Sequence, residues 1–171
     1  MMLEAMRRRR SIRKFTDRKV EDGDVARLMD AGLVAPTGKN TLCTEFFAVT
    51  DKTKIERLAQ CRDGMAASAL KTAPLAILVT GRHKSSDVWR EDAAAAAAFI
   101  LLEATEMGLG ACWVQVFQRP CGSGTSEEAM RRILGIDPEL SILCAIAVGY
   151  PEEEKEPRNL ETLDRSRAYR L

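Results

Sequence analysis

Hydrophobic and polar positions along the chain switch between two periods. In "DVARLMDAGLV" the residues Val25, Leu28, Met29, Gly32 and Leu33 recur at three- and four-residue intervals, which puts them on one face of a helix. The pattern breaks at "APTGKN", where Pro36 and Gly38 punctuate the chain. Ahead of it, "LEAMRRRRS" reads as a short helix running into a basic turn. "FFAVT" is a short buried strand. "KIERLAQC" is an amphipathic helix with Ile55, Leu58 and Ala59 on its inner side, and "LAILVT" is a second strand entered through Pro74. The strongest helix signal is "SDVWREDAAAAAAFILLEATEMGLG", because alanine has the highest intrinsic propensity and Gly108 supplies a stop. "ACWVQVF" reads as a strand. "GTSEEAMRRILG" carries a capping box from Thr125 to Glu128 and ends at Gly135, and "ILCAIAVGY" is the last strand. Helices alternating with strands predict an α/β or α+β chain around a central sheet. After Pro151 the composition turns polar, so that segment either frays or lies across another surface such as a partner subunit.

Composition narrows the function classes. A chain of 171 residues is most simply one domain, and it buries roughly 68–70% of its unfolded surface without staples. A net charge of +1 gives no whole-protein field toward nucleic acid or a membrane, so neither is expected as a partner. The five cysteines form no C-x-x-C pair and their number is odd, which predicts free thiols in a reducing cytoplasm. His83 is the only histidine, too few for a zinc site. "DAAAAAAFILLEA" is too short and alanine-rich for a membrane span, and the basic N-terminal region lacks the apolar stretch of a signal peptide.

Four stretches carry candidate chemistry, each beside a plainer reading. "RRRRSIRKF" is either a solvated charge run or an anion site: Arg9 and Arg13 sit four apart, on one side if the segment is helical, and two guanidinium groups plus the Ser11 hydroxyl suit a phosphate. A nucleic-acid tail would be longer and interleaved with aromatics. "APTGKN" is either an ordinary loop or a set of hydrogen-bonding groups for a polar ligand edge. The alanine run 93–98 is a tightly packed core helix or one that a second helix approaches closely. "GLG" at 108–110 follows a helix and precedes a strand, the reverse of the dinucleotide fingerprint. It is a helix stop, or it brings backbone amides close to a flat ligand.

Taken in order, "RRSIRKF", "APTGKN", "WREDAAAA", "GLGACWVQVF" and "AIAVGYPEEE" resemble the FMN-dependent nitroreductase family from about Arg8 to Pro151. The resemblance implies an α+β sandwich, with a central mostly antiparallel sheet flanked by helices, and an intertwined homodimer with FMN at the interface. Residues 1–171 then form one FMN-binding domain, with 152–171 an arm on the partner. It places Arg9 and Ser11 at the FMN phosphate and ribityl chain, Arg10 beside them through its backbone, and Arg13 at the pyrimidine edge of the flavin. Pro36, Thr37, Gly38 and Asn40 match a loop that reaches the flavin of the other subunit. Val114, Gln115 and Val116 match a stretch whose amides lie near flavin N5, and Arg165 or Arg167 corresponds to a basic residue capping the phosphate.

The implied activity is hydride transfer from NAD(P)H to flavin, then electron transfer to a nitroaromatic, quinone or similar small acceptor in ping-pong order. No side chain serves as acid or base. Rival readings are specialised flavin chemistry (reductive dehalogenation or flavin fragmentation) and a non-catalytic FMN-binding or sensing protein. The chain departs from the family where Leu42, Cys43 and Thr44 replace Gln, Pro and Trp, and where Val116 replaces a common glycine.

Overall fold

The computed structural model describes residues 4–62, 64 and 67–171. In chain order its elements are α1 (Glu4–Arg8), α2 (Asp22–Leu33), β1 (Thr44–Val49), α3 (Lys52–Ala59), β2 (Leu75–Arg82), α4 (Trp89–Glu106), β3 (Gly110–Gln115), a small hairpin of β4 (Pro120–Cys121) and β5 (Gly124–Thr125), α5 (Ser126–Leu134) and β6 (Leu140–Gly149). The main sheet has the order β1-β2-β6-β3, with each neighbouring pair antiparallel.

Both faces of that sheet are covered, and the two-residue period of a strand shows how. Leu75, Ile77 and Val79 of β2 pack with Leu28 of α2 and with Ala93, Ala97 and Ile100 of α4. Ala76 and Leu78 turn the other way, onto Ile55 and Leu58 of α3 and Met130 of α5. Buried on both sides, β2 over 75–79 and β6 over 142–148 read as unbroken apolar runs. The result is the expected helix–sheet–helix sandwich. Small residues set its spacing: a Cβ on Gly32 would stand 2.9 Å from the Phe46 ring and 3.1 Å from Ile100.

Helix ends follow local chemistry. Thr125 and Glu128 make the reciprocal capping box of α5, and Gly135 closes that helix at φ 69°. The basic segment is a short helix running into a turn, as expected, so Arg9 and Arg13 do not share a helix face. The α1 helix ends at Arg8, and the chain then runs alongside β3, with a parallel bridge from Ser11 to Ala111 and the Ile12 amide donating to Ala111 O at 3.0 Å. Ile12 is buried against Gly110 there.

The polar segment after Pro151 also has a definite start. The Glu152 amide donates to Lys14 O, the Arg158 amide donates to Arg7 O at 2.9 Å, and Phe15 bridges Pro151. Residues 152–158 therefore lie along the chain's own basic segment. Beyond them Leu163, Tyr169 and Leu171 are exposed.

Candidate functional site

The basic segment is sorted by its partners. Arg7 pairs with Glu4 at 2.6 Å, and Arg8 with Glu106 at 3.1 Å. Arg10 donates to the Glu156 carbonyl. Arg9 makes no side-chain hydrogen bond or ion pair among the described residues. Neither does the Arg13 guanidinium, whose Nε is buried without a partner. Backbone contacts hold this arrangement. The Arg13 amide donates to Glu153 Oε1 at 2.5 Å, Lys155 Nζ donates to Ser11 O, and Thr72 Oγ1 donates to Arg13 O at 3.4 Å. Glu153 is held below the usual carboxylate range, first by that Arg13 amide and then by Lys155. The half-buried Arg9 and Arg13 sit close enough to Cys112 for their charges to act on its thiol, though burial dominates and pushes that thiol up.

The β3 edge supplies a second group. The Ala111 carbonyl takes the Ile12 amide, so the backbone groups of Ala111, Trp113 and Gln115 alternate toward the open edge of the sheet. Arg62 Nε donates to Gln115 O at 3.1 Å, in keeping with that direction. The Gln115 side chain is occupied, taking Trp113 Nε1 at 3.0 Å and donating to Phe117 O at 3.3 Å. Val114 and Val116 are fully buried, and the Val116 amide is bonded to Leu143 O at 3.1 Å. Of the three residues expected to offer amides, Gln115 is the one with its backbone at the edge, and Trp113 joins it.

The "APTGKN" loop is a third group. Lys39, Asn40 and Leu42 have φ of 55°, 54° and 47°. Such left-handed backbone is uncommon for non-glycine residues and costs roughly 1–3 kcal/mol each. Thr37 Oγ1 accepts the Leu42 amide at 3.1 Å. Asp92 Oδ1 accepts the Gly38 amide at 2.7 Å, and Pro36 is exposed. Within one chain this loop and Arg9 are far apart: the loop is tied to Asp92, while Arg8 reaches Glu106, and the helix between them spans about 21 Å.

Arg165 and Arg167 do not join any of these groups. Arg165 donates to Leu160 O at 3.0 Å and Arg167 pairs with Asp164 at 3.4 Å, both within the exposed arm.

Unanticipated contributors are Arg62, Trp113, Glu153, Lys155 and Asp92. For Asp92 there was a signal, an acidic residue entering an alanine-rich helix; the others follow from long-range pairing. All five cysteines are free. Cys61 is pushed up to about 11 by burial and then by its neighbour Cys121, and the fully buried Cys144 is raised by burial. No group of acidic, His or Cys side chains among the described residues could hold a metal ion, and no helix of theirs is long and apolar enough to cross a membrane.

The nitroreductase family model matches residues 6–62 and 59–150. The chain belongs to the nitroreductase family. An FMN-dependent nitroreductase from Clostridium difficile R20291 superposes with a TM-score of 0.94 at 38% identity, covering 98% of both chains. A "putative nitroreductase in complex with fmn" from Desulfovibrio desulfuricans gives 0.74 at 30% identity, over 93% of this chain and 92% of that one. A curated protein of Archaeoglobus fulgidus, named "Putative NADH dehydrogenase/NAD(P)H nitroreductase", is 31% identical over 152 residues, 86% of this chain and 84% of its own.

The residues of this nitroreductase-family chain fit a flavin mononucleotide on their own chemistry. An unpartnered buried guanidinium atom and a second guanidinium without a partner among the described residues stand beside a strand edge that presents backbone donors. That combination suits a planar heterocycle carrying a phosphate.

Proposed function

We propose that the protein is an FMN-dependent NAD(P)H oxidoreductase of nitroreductase type, acting as a homodimer. The observation that carries this reading is the sorting of the basic segment, in which the Arg9 and Arg13 guanidinium groups have no partners among the described residues while Arg7, Arg8 and Arg10 are engaged. The family and its FMN-dependent member from Clostridium difficile support the same cofactor.

When bound, FMN supplies the redox chemistry, taking hydride from NAD(P)H and passing electrons to a nitroaromatic, quinone or similar acceptor in ping-pong order. The chain's own groups bind and orient. Arg9 and Ser11 take the phosphate and ribityl chain, with Arg10 beside them. Arg13 faces the pyrimidine edge, where its charge stabilises negative charge that develops on reduction. The Trp113 and Gln115 backbone fixes the ring along β3.

Thr37 and Asn40 come from the second subunit, because their loop is held at the far end of α4 from Arg8 and Arg9. The dimer reading is supported by exposed apolar side chains on α1, α2 and α4: Met6, Leu33, Phe99 and, just past α2, Val34, which is 72% exposed. Residues 159–171, polar and outside the core, are available to cover a partner.

The test compares Arg9→Ala with Arg13→Ala. The phosphate contact is the same in both redox states, so Arg9→Ala weakens FMN by about 10- to 150-fold and leaves its potential in place. Arg13→Ala lowers the potential by tens of millivolts, since ~1.4 kcal/mol corresponds to ~30 mV for a two-electron couple. Spectroelectrochemical titration beside FMN dissociation constants decides it. Equal potentials with only affinity lost would make both arginines phosphate ligands, and absence of FMN binding in the wild type would end the reading.

A further inference from the structure

Asp92 is 5% exposed, and a carboxylate is among the costliest groups to bury unpaired. Both of its oxygens are occupied. Oδ1 accepts the Gly38 amide at 2.7 Å; Oδ2 accepts the Cys43 thiol at 3.3 Å and the Ser86 hydroxyl at 3.4 Å.

Capping α4 does not account for these contacts. Two of the three donors come from the loop, one at each end of Gly38–Cys43. Between those ends lie the three left-handed residues Lys39, Asn40 and Leu42, a conformation that persists only where the surroundings impose it. The loop is also seated hard on the helix start, because a Cβ on Gly38 would stand 2.5 Å from Val88 Cγ2.

We propose that Asp92 is a positioning residue for the cofactor: by clipping both ends of the Gly38–Cys43 loop to α4, it fixes where Thr37 and Asn40 are presented to FMN on the partner subunit. This rests on the reading that the loop faces FMN. Asp92 acts through the Gly38 backbone and the Cys43 thiol and touches no reacting atom.

The experiment uses the full chain with FMN and the variants Asp92→Asn, Cys43→Ala and Ser86→Ala. FMN dissociation constants, the visible circular dichroism of bound flavin and hydrogen exchange at the Gly38 amide are measured for each. Asp92→Asn is expected to weaken FMN about tenfold, change the flavin dichroism and speed exchange at Gly38. Cys43→Ala and Ser86→Ala each remove one donor to the same oxygen, but only Cys43 belongs to the loop. Cys43→Ala therefore shifts FMN affinity and dichroism, and Ser86→Ala leaves them in place, a comparison that stands even if Asp92→Asn fails to fold. A folded Asp92→Asn with lower thermal stability but unchanged affinity and dichroism, or equal effects of the cysteine and serine variants, overturns the positioning role and leaves the FMN reading intact. A wild type that binds no FMN removes both.

Discussion

Gly110 is where the basic segment docks on the sheet, and adding one methyl group there tests the docking directly. A Cβ at Gly110 would lie 2.8 Å from Ile12 Cγ2, 2.9 Å from its Cβ and 3.2 Å from its Cγ1. All three atoms belong to one β-branched side chain that is 8% exposed, so it has no alternative rotamer in open space. Relief requires moving the Ile12 backbone, which is tied to Ala111 O at 3.0 Å. Overpacking of this kind costs about 1–3 kcal/mol, or about 2–4 °C in Tm per kcal/mol for a chain of this size. Ile12→Ala alone costs about 2–5 kcal/mol as a buried truncation. Together the two changes should cost less than their sum by about 0.5–3 kcal/mol, because the truncation removes two of the three offending atoms. Equilibrium urea unfolding of wild type, both single variants and the double variant, at one fixed protomer concentration, reads the coupling. Additivity within about 0.5 kcal/mol would refute the claim that Gly110 is small in order to admit Ile12.

Thr125→Ala removes the acceptor of the Glu128 amide at 3.2 Å and should destabilise the protein by about 0.5–2 kcal/mol in thermal or urea unfolding, with Thr125→Ser close to wild type. Glu153 has a lowered folded value, so its hold on the Arg13 amide is fully present above its unfolded value near 4.5 and is lost as pH falls through the folded one. Protease nicking of residues 152–158 should therefore rise in acid below about pH 4.5, and Glu153→Gln should show the acid level of nicking already at neutral pH. A wild type whose nicking does not change between pH 6 and about pH 3 would contradict this.

The fold was legible because its signals are local. The runs at 75–79 and 142–148 are apolar on both strand faces, and the capping residues of α5 are three apart in sequence. The site was legible only in outline. Glu91 and Asp92 are adjacent acids in one helical turn, yet the first is exposed and the second buried, and only the rotation of the helix decides which. The arginines between Arg7 and Arg13 are equivalent as letters, and the groups that engage two of them lie at Glu106 and Glu156, about a hundred or more residues onward. Val116 belonged to a motif that looked available, but its amide closes against Leu143, where β3 ends.

The same long-range pairings explain why a short chain carries so polar a C-terminal segment. β3 is an edge strand, and an uncovered edge invites pairing with other chains. Here the near end of that edge is taken by Ser11 and Ile12, and residues 152–158 in turn brace the segment that covers it. Among the described residues, the stretch around Trp113 and Gln115 is less covered, with Arg62 on the Gln115 carbonyl. A ligand that meets this stretch lies beside Arg13, so the contacts that blunt the edge also set the length of the opening. Shortening the arm ahead of Glu153 would then free both the Arg13 amide and the edge, whereas cutting after Pro157 leaves Glu153, Lys155 and Glu156 in place. That difference separates the brace, which acts within one chain, from residues 159–171, which the proposed dimer assigns to the partner.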